Sequence, residues 1–167
     1  LRRRRRPRRG PALGGAGGTP PGGIEAEIAF FDSFDDLVAA EGGETALAGK
    51  VVFVNDRMTA TRTGEGYGWA NRKRRRAWLE AEARGAEAVL IRSVGTSSHR
   101  FPHTGMMSFP EGRQARIPAL AVSAPDADQI ERIHEQGRTV RVHVETSADW
   151  REEVTSGNVI AEIPGAD

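Results

Sequence analysis

Two histidines lie four residues apart, His99 and His103, in a chain that has only four histidines. Imidazole side chains bind zinc, transfer protons and donate hydrogen bonds to substrates. A pair at this spacing shares a metal ion when both residues lie on one face of a helix, but Pro102 between them disfavours a helix. The nearest acidic residues in the sequence are Glu87 and Glu111. The spacing therefore argues against a metal site and in favour of a loop position.

Other patterns near the histidines do not match known catalytic motifs. No G-x-S-x-G turn is present to activate any of the nearby serines, Ser93, Ser97, Ser98 and Ser108. The glycine-rich sequence GEGYGW, residues 64 to 69, lacks the lysine and the Ser/Thr of a phosphate-binding loop. It predicts a turn that carries two aromatic residues.

The histidines belong to a stretch of 24 residues without periodicity, from Ser93 to Arg116. Loops longer than about 12 to 15 residues are usually functional or disordered. Disordered segments contain few large apolar residues, whereas this stretch contains four, namely Phe101, Met106, Met107 and Phe109. We therefore expect an ordered loop that packs onto the rest of the protein.

The loop's own residues suggest how it is arranged. Pro102 and Gly105 favour a tight turn that presents His103 and Thr104. Phe101, Met106 and Met107 are expected to pack at its base. His99 lies in a serine-rich approach to this turn.

Regular elements must position this loop. Apolar runs predict buried strands in IEAEIAFF, GKVVFVN, EAVLIRS and RIPALAVS, and RTVRVHVE alternates as a half-buried strand does. Helices are predicted after the capping residue Ser33, over Trp69 to Arg84, and in PDADQIERIHEQ after Ser123. A last strand is predicted in NVIAEIPG. Strand and helix alternate, so the class is α/β with parallel pairing.

Composition limits the possible classes of protein. The chain has 167 residues, enough for one domain, and no cysteine, which excludes disulfides and thiolate metal sites. No apolar run approaches the roughly 20 residues that span a bilayer, and no apolar segment of a signal peptide follows the N-terminal arginines.

Charge is distributed unevenly along the chain. Seven of the 24 basic residues lie in residues 1 to 10, which leaves 17 against 23 acidic residues from position 11 onward. We interpret residues 1 to 23, basic and then Gly/Pro-rich, as a disordered tail or linker. Binding of the tail to nucleic acid would be sequence-independent and salt-sensitive, so no specific nucleic-acid partner is expected. A second basic cluster, NRKRRRAW, is interpreted as solvated helix surface.

Four blocks in order carry a family resemblance: GKVVFVND, GAEAVLIRSVG leading to FPHTGMM, RIPALAVSAPDADQIERI, and SGNVIAEIPG. They resemble the protease-associated (PA) domain of M28-type zinc metallopeptidases, in the carboxypeptidase Q-like branch. The resemblance covers about residues 12 to 167. It implies a swivelling β/β/α sandwich, with a mixed sheet and two to three helices. The PA core would span residues 24 to 145, and residues 146 to 167 would form a connector and a hinge strand that returns to a peptidase domain.

The resemblance also implies a function. The chain would be non-catalytic, with zinc held in a peptidase domain beyond this sequence, and it would cover the active-site cleft and modulate the access of peptide substrates. Its partners would be that peptidase domain in cis and the peptide, and its location secreted or periplasmic. Contacts to substrate or to the peptidase domain are expected from Arg92, Ser93, His99, Pro102, His103, Thr104 and Gly105. The alternative is a free-standing PA-like module that binds a protein partner.

Overall fold

One five-stranded sheet forms the centre of the computed structural model, which describes residues 10–151 and 153–165. Its strands are β1 (Ile24–Phe31), β2 (Lys50–Val54), β3 (Ala88–Arg92), β4 (Ala119–Val122) and β5 (Arg141–Val144). The order across the sheet is β4-β3-β2-β1-β5. Strands β1 to β4 pair in parallel, and β5 pairs antiparallel to β1. The predicted α/β class with a mixed sheet is confirmed.

Three helices connect the strands, in agreement with the predicted two to three: α1 (Phe34–Ala39), α2 (Gly66–Ala83) and α3 (Ala124–Glu135). The predicted caps are present. The Ser33 side chain accepts a hydrogen bond from the backbone N–H of Asp36, and Ser123 accepts one from Asp126. The turn predicted in residues 64 to 69 is wrong for its last four residues, because α2 begins at Gly66.

The two faces of the sheet are covered differently. Helices α1 and α2 cover one face, where Trp78 and the strand residues Val52, Val54, Val89 and Ile91 form the larger apolar core. Helix α3 contributes Ala127 to the smaller core on the other face. Successive strand residues point to opposite faces, so each buried strand supplies both cores.

The glycine-rich segment before β1 differs from the prediction. Residues 11–17 run along residues 117–121, which include most of β4, and the Leu13 N–H donates to the Ala119 carbonyl at 2.8 Å. Leu13 is buried. The free energy gained by burying this side chain offsets the conformational entropy that the glycine-rich segment loses when it becomes ordered. The disordered tail predicted over residues 1 to 23 is therefore wrong for this stretch, and residues 1–9 lie outside the described residues.

The basic cluster on α2 also differs from the prediction of a solvated surface. Lys73 is fully buried and Arg74 nearly so, whereas Arg75 and Arg76 are exposed. The helix rotation decides this, because α2 packs on the sheet through small residues that bring positions 73 and 74 inward. Those buried small residues are Ala70, Ala77 and Ala81.

The stretch NVIAEIPG, residues 158 to 165, has no regular secondary structure, and its apolar side chains Val159, Ile160 and Ile163 are exposed. No strand of the described sheet lies alongside it, so the strand predicted there has no ladder of hydrogen bonds. Within residues 10–151 and 153–165, no helix has the length and apolarity that crossing a bilayer requires.

Candidate functional site

The candidate site lies at the edge of the sheet where the parallel strands end. Asn55 and Asp56 follow β2, and Arg92 ends β3, directly before Ser93 and the long loop. Ligands of parallel α/β sheets bind outside the carboxyl ends of the strands, so this edge is where a functional loop is expected. We call residues 95–101 the first half of the loop and residues 103–109 its second half.

Ser93 fixes the backbone of His103. Its hydroxyl accepts a hydrogen bond from the His103 N–H at 2.5 Å and donates to the His103 carbonyl oxygen at 3.3 Å. Ser93 is buried, whereas His103 is exposed. One side chain thus pairs with both backbone groups of the histidine and leaves its imidazole free to meet a ligand.

Residues 102–105 have no turn in the structure, so the tight turn predicted there is wrong. Arg74 contacts residues 103–105 from the α2 side. Its Nη1 donates to the Thr104 carbonyl at 3.4 Å, and its Nη2 donates to the Tyr67 hydroxyl at 2.8 Å. The guanidinium also packs against Gly105, where an added Cβ would be 2.9 Å from the arginine Cζ. A side chain at position 105 would therefore displace the guanidinium from its present place.

The N-terminal segment and α2 hold the rest of the second half. The Gly14 N–H donates to the Gly105 carbonyl at 2.8 Å, and the Met107 N–H donates to the Gly14 carbonyl at 3.0 Å. The Trp78 indole donates to the Ser108 carbonyl at 3.2 Å. These bonds connect the loop to two parts of the chain that are remote in sequence.

The first half of the loop has fewer contacts. His99 is exposed, and its backbone N–H bonds to the nearby Ser97 hydroxyl at 3.2 Å. Arg100 forms an ion pair with Asp126 of α3, and Phe101 is 88% exposed. His99 therefore lacks the contacts that hold the backbone of His103.

The apolar residues of the loop only partly follow the prediction. Met107 is buried and Phe109 packs against Trp78, with ring centroids 5.6 Å apart. Phe101 and Met106 are exposed, so the prediction that they pack at the base of the loop is wrong. Pro102 is half-buried beside the exposed residues.

Arg92 acts inside the fold rather than at the surface where the sequence predicts it. Its side chain is 4% exposed. Its guanidinium donates to Asn55 Oδ1 at 2.8 Å, to Asp128 Oδ1 at 2.7 Å and to Glu131 Oε2 at 3.2 Å. Arg92 therefore joins α3 to the ends of β2 and β3, and so supports the neighbouring Ser93.

The two acids of this cluster stay ionised. Burial alone would raise the pKa of Asp128, but the hydrogen bond and charge of Arg92 outweigh it and the pKa lies below its ordinary value. The pKa of Glu131 is lowered in the same way, against burial, by hydrogen bonds from Arg57 and Asn55. The charges of Asp128 and Glu131 thus balance those of Arg57 and Arg92. Such a set of paired charges suits a structural role.

A second buried pair lies beneath the site. Burial lowers the pKa of Lys73 to about 8, although the charge of Asp56 opposes the shift. The Lys73 Nζ donates to the Asp56 backbone carbonyl at 2.9 Å. Burial raises the pKa of Asp56, whose carboxylate accepts a hydrogen bond from the N–H of Phe34 at the start of α1.

The described residues do not form a zinc site. No three His, Asp or Glu side chains of residues 10–151 and 153–165 are grouped so that they could hold a metal ion. His134 stacks on Phe30 with ring centroids 4.1 Å apart, and His143 lies on β5. The side chains of the described residues therefore do not fit the zinc that the resemblance assigns to a peptidase domain.

Sequence reasoning missed five residues of this region: Asn55, Tyr67, Arg74, Asp128 and Glu131. Two signals were available. Tyr67 and Arg74 are seven residues apart, so they share a helix face, and Asp128 and Glu131 are three apart on α3. Their partners lie on other elements, which a local pattern does not reveal.

Comparison with known proteins agrees with the resemblance in the sequence. No family model matches the chain. It is 34% identical over 154 residues to carboxypeptidase Q of Mus musculus, a match that covers 92% of this chain and 31% of that protein. It is 32% identical over 154 residues to carboxypeptidase Q of Homo sapiens, covering 92% of the chain and 30% of that protein.

A solved structure has a similar fold. The peptidase M28 precursor from Shewanella amazonensis SB2B superposes with a TM-score of 0.74 at 41% identity, covering 80% of this chain and 30% of that one. The predicted resemblance to M28-type peptidases is confirmed. An aminopeptidase from Aneurinibacillus sp. strain AM-1, at 16% identity, has a TM-score of 0.50 over 82% of this chain and 27% of its own, and shows likeness of fold alone. The chain spans about a third of the length of the M28-type relatives it matches.

Proposed function

We propose that this chain is the non-catalytic PA domain of an M28-type zinc peptidase, which covers the active-site cleft of a peptidase domain in cis and modulates the access of peptide substrates. One observation carries the proposal. His103 presents an exposed imidazole on a backbone that Ser93 fixes through two hydrogen bonds and that Arg74 contacts through Thr104. Such a group is prepared to meet a ligand with little loss of entropy.

In this proposal the loop recognises the peptide substrate through hydrogen bonds. A neutral imidazole offers one donor and one acceptor, which match the N–H and C=O groups of a peptide. Closing a cleft also excludes water and orients the substrate. The domain can thus change the rate of hydrolysis without transferring a proton itself.

Zinc and the catalytic residues belong, in this proposal, to the peptidase domain. The described part of this chain supplies no ligand group for the metal. A secreted or periplasmic location is part of the same proposal and rests on the likeness to carboxypeptidase Q.

The test uses the complete peptidase that contains this chain. We expect His103→Ala to lower kcat/KM for a series of dipeptides by a factor that corresponds to about 1 to 3 kcal/mol, the cost of an unmade hydrogen bond in a closed site. The zinc content should not change. His99→Ala is the matched control and should cost less, because His99 lies in the first half of the loop.

Equal effects from the two variants would contradict the proposal, and so would a loss of zinc that parallels the loss of activity. Steady-state kinetics and elemental analysis of the same preparations provide both readouts.

A second candidate, a free-standing module that binds a protein, is favoured by a trough on the α3 face. The trough has a volume of about 1520 Å³. Its lining is mainly apolar and includes Leu90, Leu120, Val122, Ile130, Ile133 and Val142. The DNA that follows codon 167 distinguishes the candidates, because a continuous reading frame with the metal ligands of a peptidase supports the first.

A further inference from the structure

We propose that Arg74 is a positioning residue, whose buried guanidinium fixes the segment from His103 to Gly105 from the α2 side. The sequence pattern assigned Arg74 to a solvated basic surface, and the structure buries it. Its relevance to substrate access rests on the proposed function. The positioning itself is a property of this chain and can be measured without a substrate.

The charge of Arg74 is unusual for its surroundings. Arg74 is 8% exposed, and its Nε is buried without a hydrogen-bond partner. Among the described residues no carboxylate forms a salt bridge with it, whereas Arg72 on the same helix pairs with Asp35 at 2.8 Å. A buried cation without an acid costs free energy, so this side chain is poorly explained as a stabilising ion pair.

The contacts of Arg74 lead to His103 by two routes. One route runs through the backbone carbonyl of Thr104, the residue that follows His103. The other passes through Tyr67, whose hydroxyl accepts from the guanidinium and whose ring centroid lies 5.5 Å from its Cζ. The Tyr67 ring in turn meets the His103 ring edge-on, with centroids 6.4 Å apart and planes at 73°. Arg74 therefore sets both the backbone and the ring environment of the histidine.

Shape makes arginine specific at this position. The guanidinium is planar and can lie against Gly105 while its separate N–H groups reach two acceptors. A lysine ammonium is not planar, and its three N–H groups share a single nitrogen. We therefore expect Arg74→Lys, which keeps the charge, to preserve the wild-type arrangement of residues 103–105 only in part.

A double-mutant cycle in this chain tests the contact between Arg74 and Gly105. Gly105→Ala should lower the equilibrium constant of folding by about tenfold or more, because the new methyl group meets the guanidinium. In an Arg74→Ala background the same substitution should change that constant less than about threefold, since the space is then open. Urea denaturation measures all four proteins. Equal effects of Gly105→Ala in both backgrounds would overturn the proposal.

Two milder variants keep the test decisive if Arg74→Ala does not fold. In the NMR spectrum of the wild-type chain, nuclear Overhauser contacts between the Tyr67 and His103 rings should be present. They should weaken severalfold in Arg74→Lys and in Tyr67→Phe, and remain in Arg76→Gln, the control at an exposed arginine of the same helix. Unchanged ring contacts in Arg74→Lys and Tyr67→Phe would overturn the proposal.

The outcome is separable from that of the proposed function. Suppose that the double-mutant cycle and the ring contacts behave as expected but His103→Ala leaves kcat/KM of the complete peptidase unchanged. Arg74 then positions residues 103–105, and the proposed role in substrate access fails. If His103→Ala lowers kcat/KM while the cycle shows no coupling, the access role stands and the assignment of Arg74 fails.

Discussion

The two halves of the loop after β3 are close in sequence but differ in how the fold holds them. The first half contacts the rest of the described protein through the exposed ion pair of Arg100 with Asp126. The second half makes hydrogen bonds to Ser93 directly after β3, to α2 and to the N-terminal segment. Local order in a loop thus depends on partners that are remote in sequence, and only the second half is built to present a side chain in one place.

The largest expected effect comes from removing the support of the second half. Trp78 is buried, packs against Phe109 and donates to the Ser108 carbonyl. Trp78→Ala should lower the free energy of unfolding by about 3 to 5 kcal/mol, through lost burial and the cavity that remains. Urea denaturation measures it. Trp69→Ala, at a half-exposed tryptophan of the same helix, is the control, and an equal loss there would contradict the assignment.

The titration of Lys73 tests whether stability and loop order are separable, because the ammonium group of this buried lysine donates its hydrogen bond to the backbone of Asp56. Its pKa is lowered to about 8, so between about pH 8 and 10.5 the unfolded chain binds the proton that the folded chain has lost. The free energy of unfolding should therefore rise over this range, by up to about 3 kcal/mol.

Denaturant titrations at several pH values check this rise. Lys73→Met should abolish it, and Lys50→Met, at the only other lysine and a partly exposed one, should preserve it. A rise that persists in Lys73→Met would show that another group is responsible.

A smaller effect is expected from the hydroxyl that fixes His103. Ser93→Ala removes both of its hydrogen bonds to the His103 backbone and should cost about 1 to 2 kcal/mol of unfolding free energy. Ser97→Ala in the first half is the control and should stay within about 0.5 kcal/mol. If Ser93→Ala and Ser97→Ala lower the free energy of unfolding equally in thermal denaturation, the two halves of the loop do not differ in how much they stabilise the fold.

The smallest effect is expected at Phe101. This residue is 88% exposed, so Phe101→Ser should change the free energy of unfolding by less than about 0.5 kcal/mol. A loss greater than about 1 kcal/mol in urea denaturation would mean that the first half packs more closely than its exposure indicates.

Much of the fold could be predicted because its signals are local. The apolar runs of β2 and β3, the caps Ser33 and Ser123, and the alternation in β5 are each set by a few neighbouring residues. The burial of Lys73 was not predictable in this way, because it depends on which side of α2 meets the sheet.

The candidate site was predictable only in part. The resemblance drew attention to Ser93 and His103, and the structure brings them into hydrogen-bond contact. Arg74 and the N-terminal segment were missed, because a basic run and a glycine-rich run are typical of solvated or disordered chain. Their partners, Thr104 and Ala119, are far away in sequence.

Amide hydrogen exchange across residues 93 to 116 tests the central claim most directly. The amides of His103, Met107 and Ser108 donate to Ser93, Gly14 and Arg75 respectively. We expect these three amides to exchange about 100-fold more slowly than those of Thr96, Ser98 and Phe101, after correction for intrinsic rates. Equally fast exchange in both halves would contradict the claim that the fold holds His103 in place.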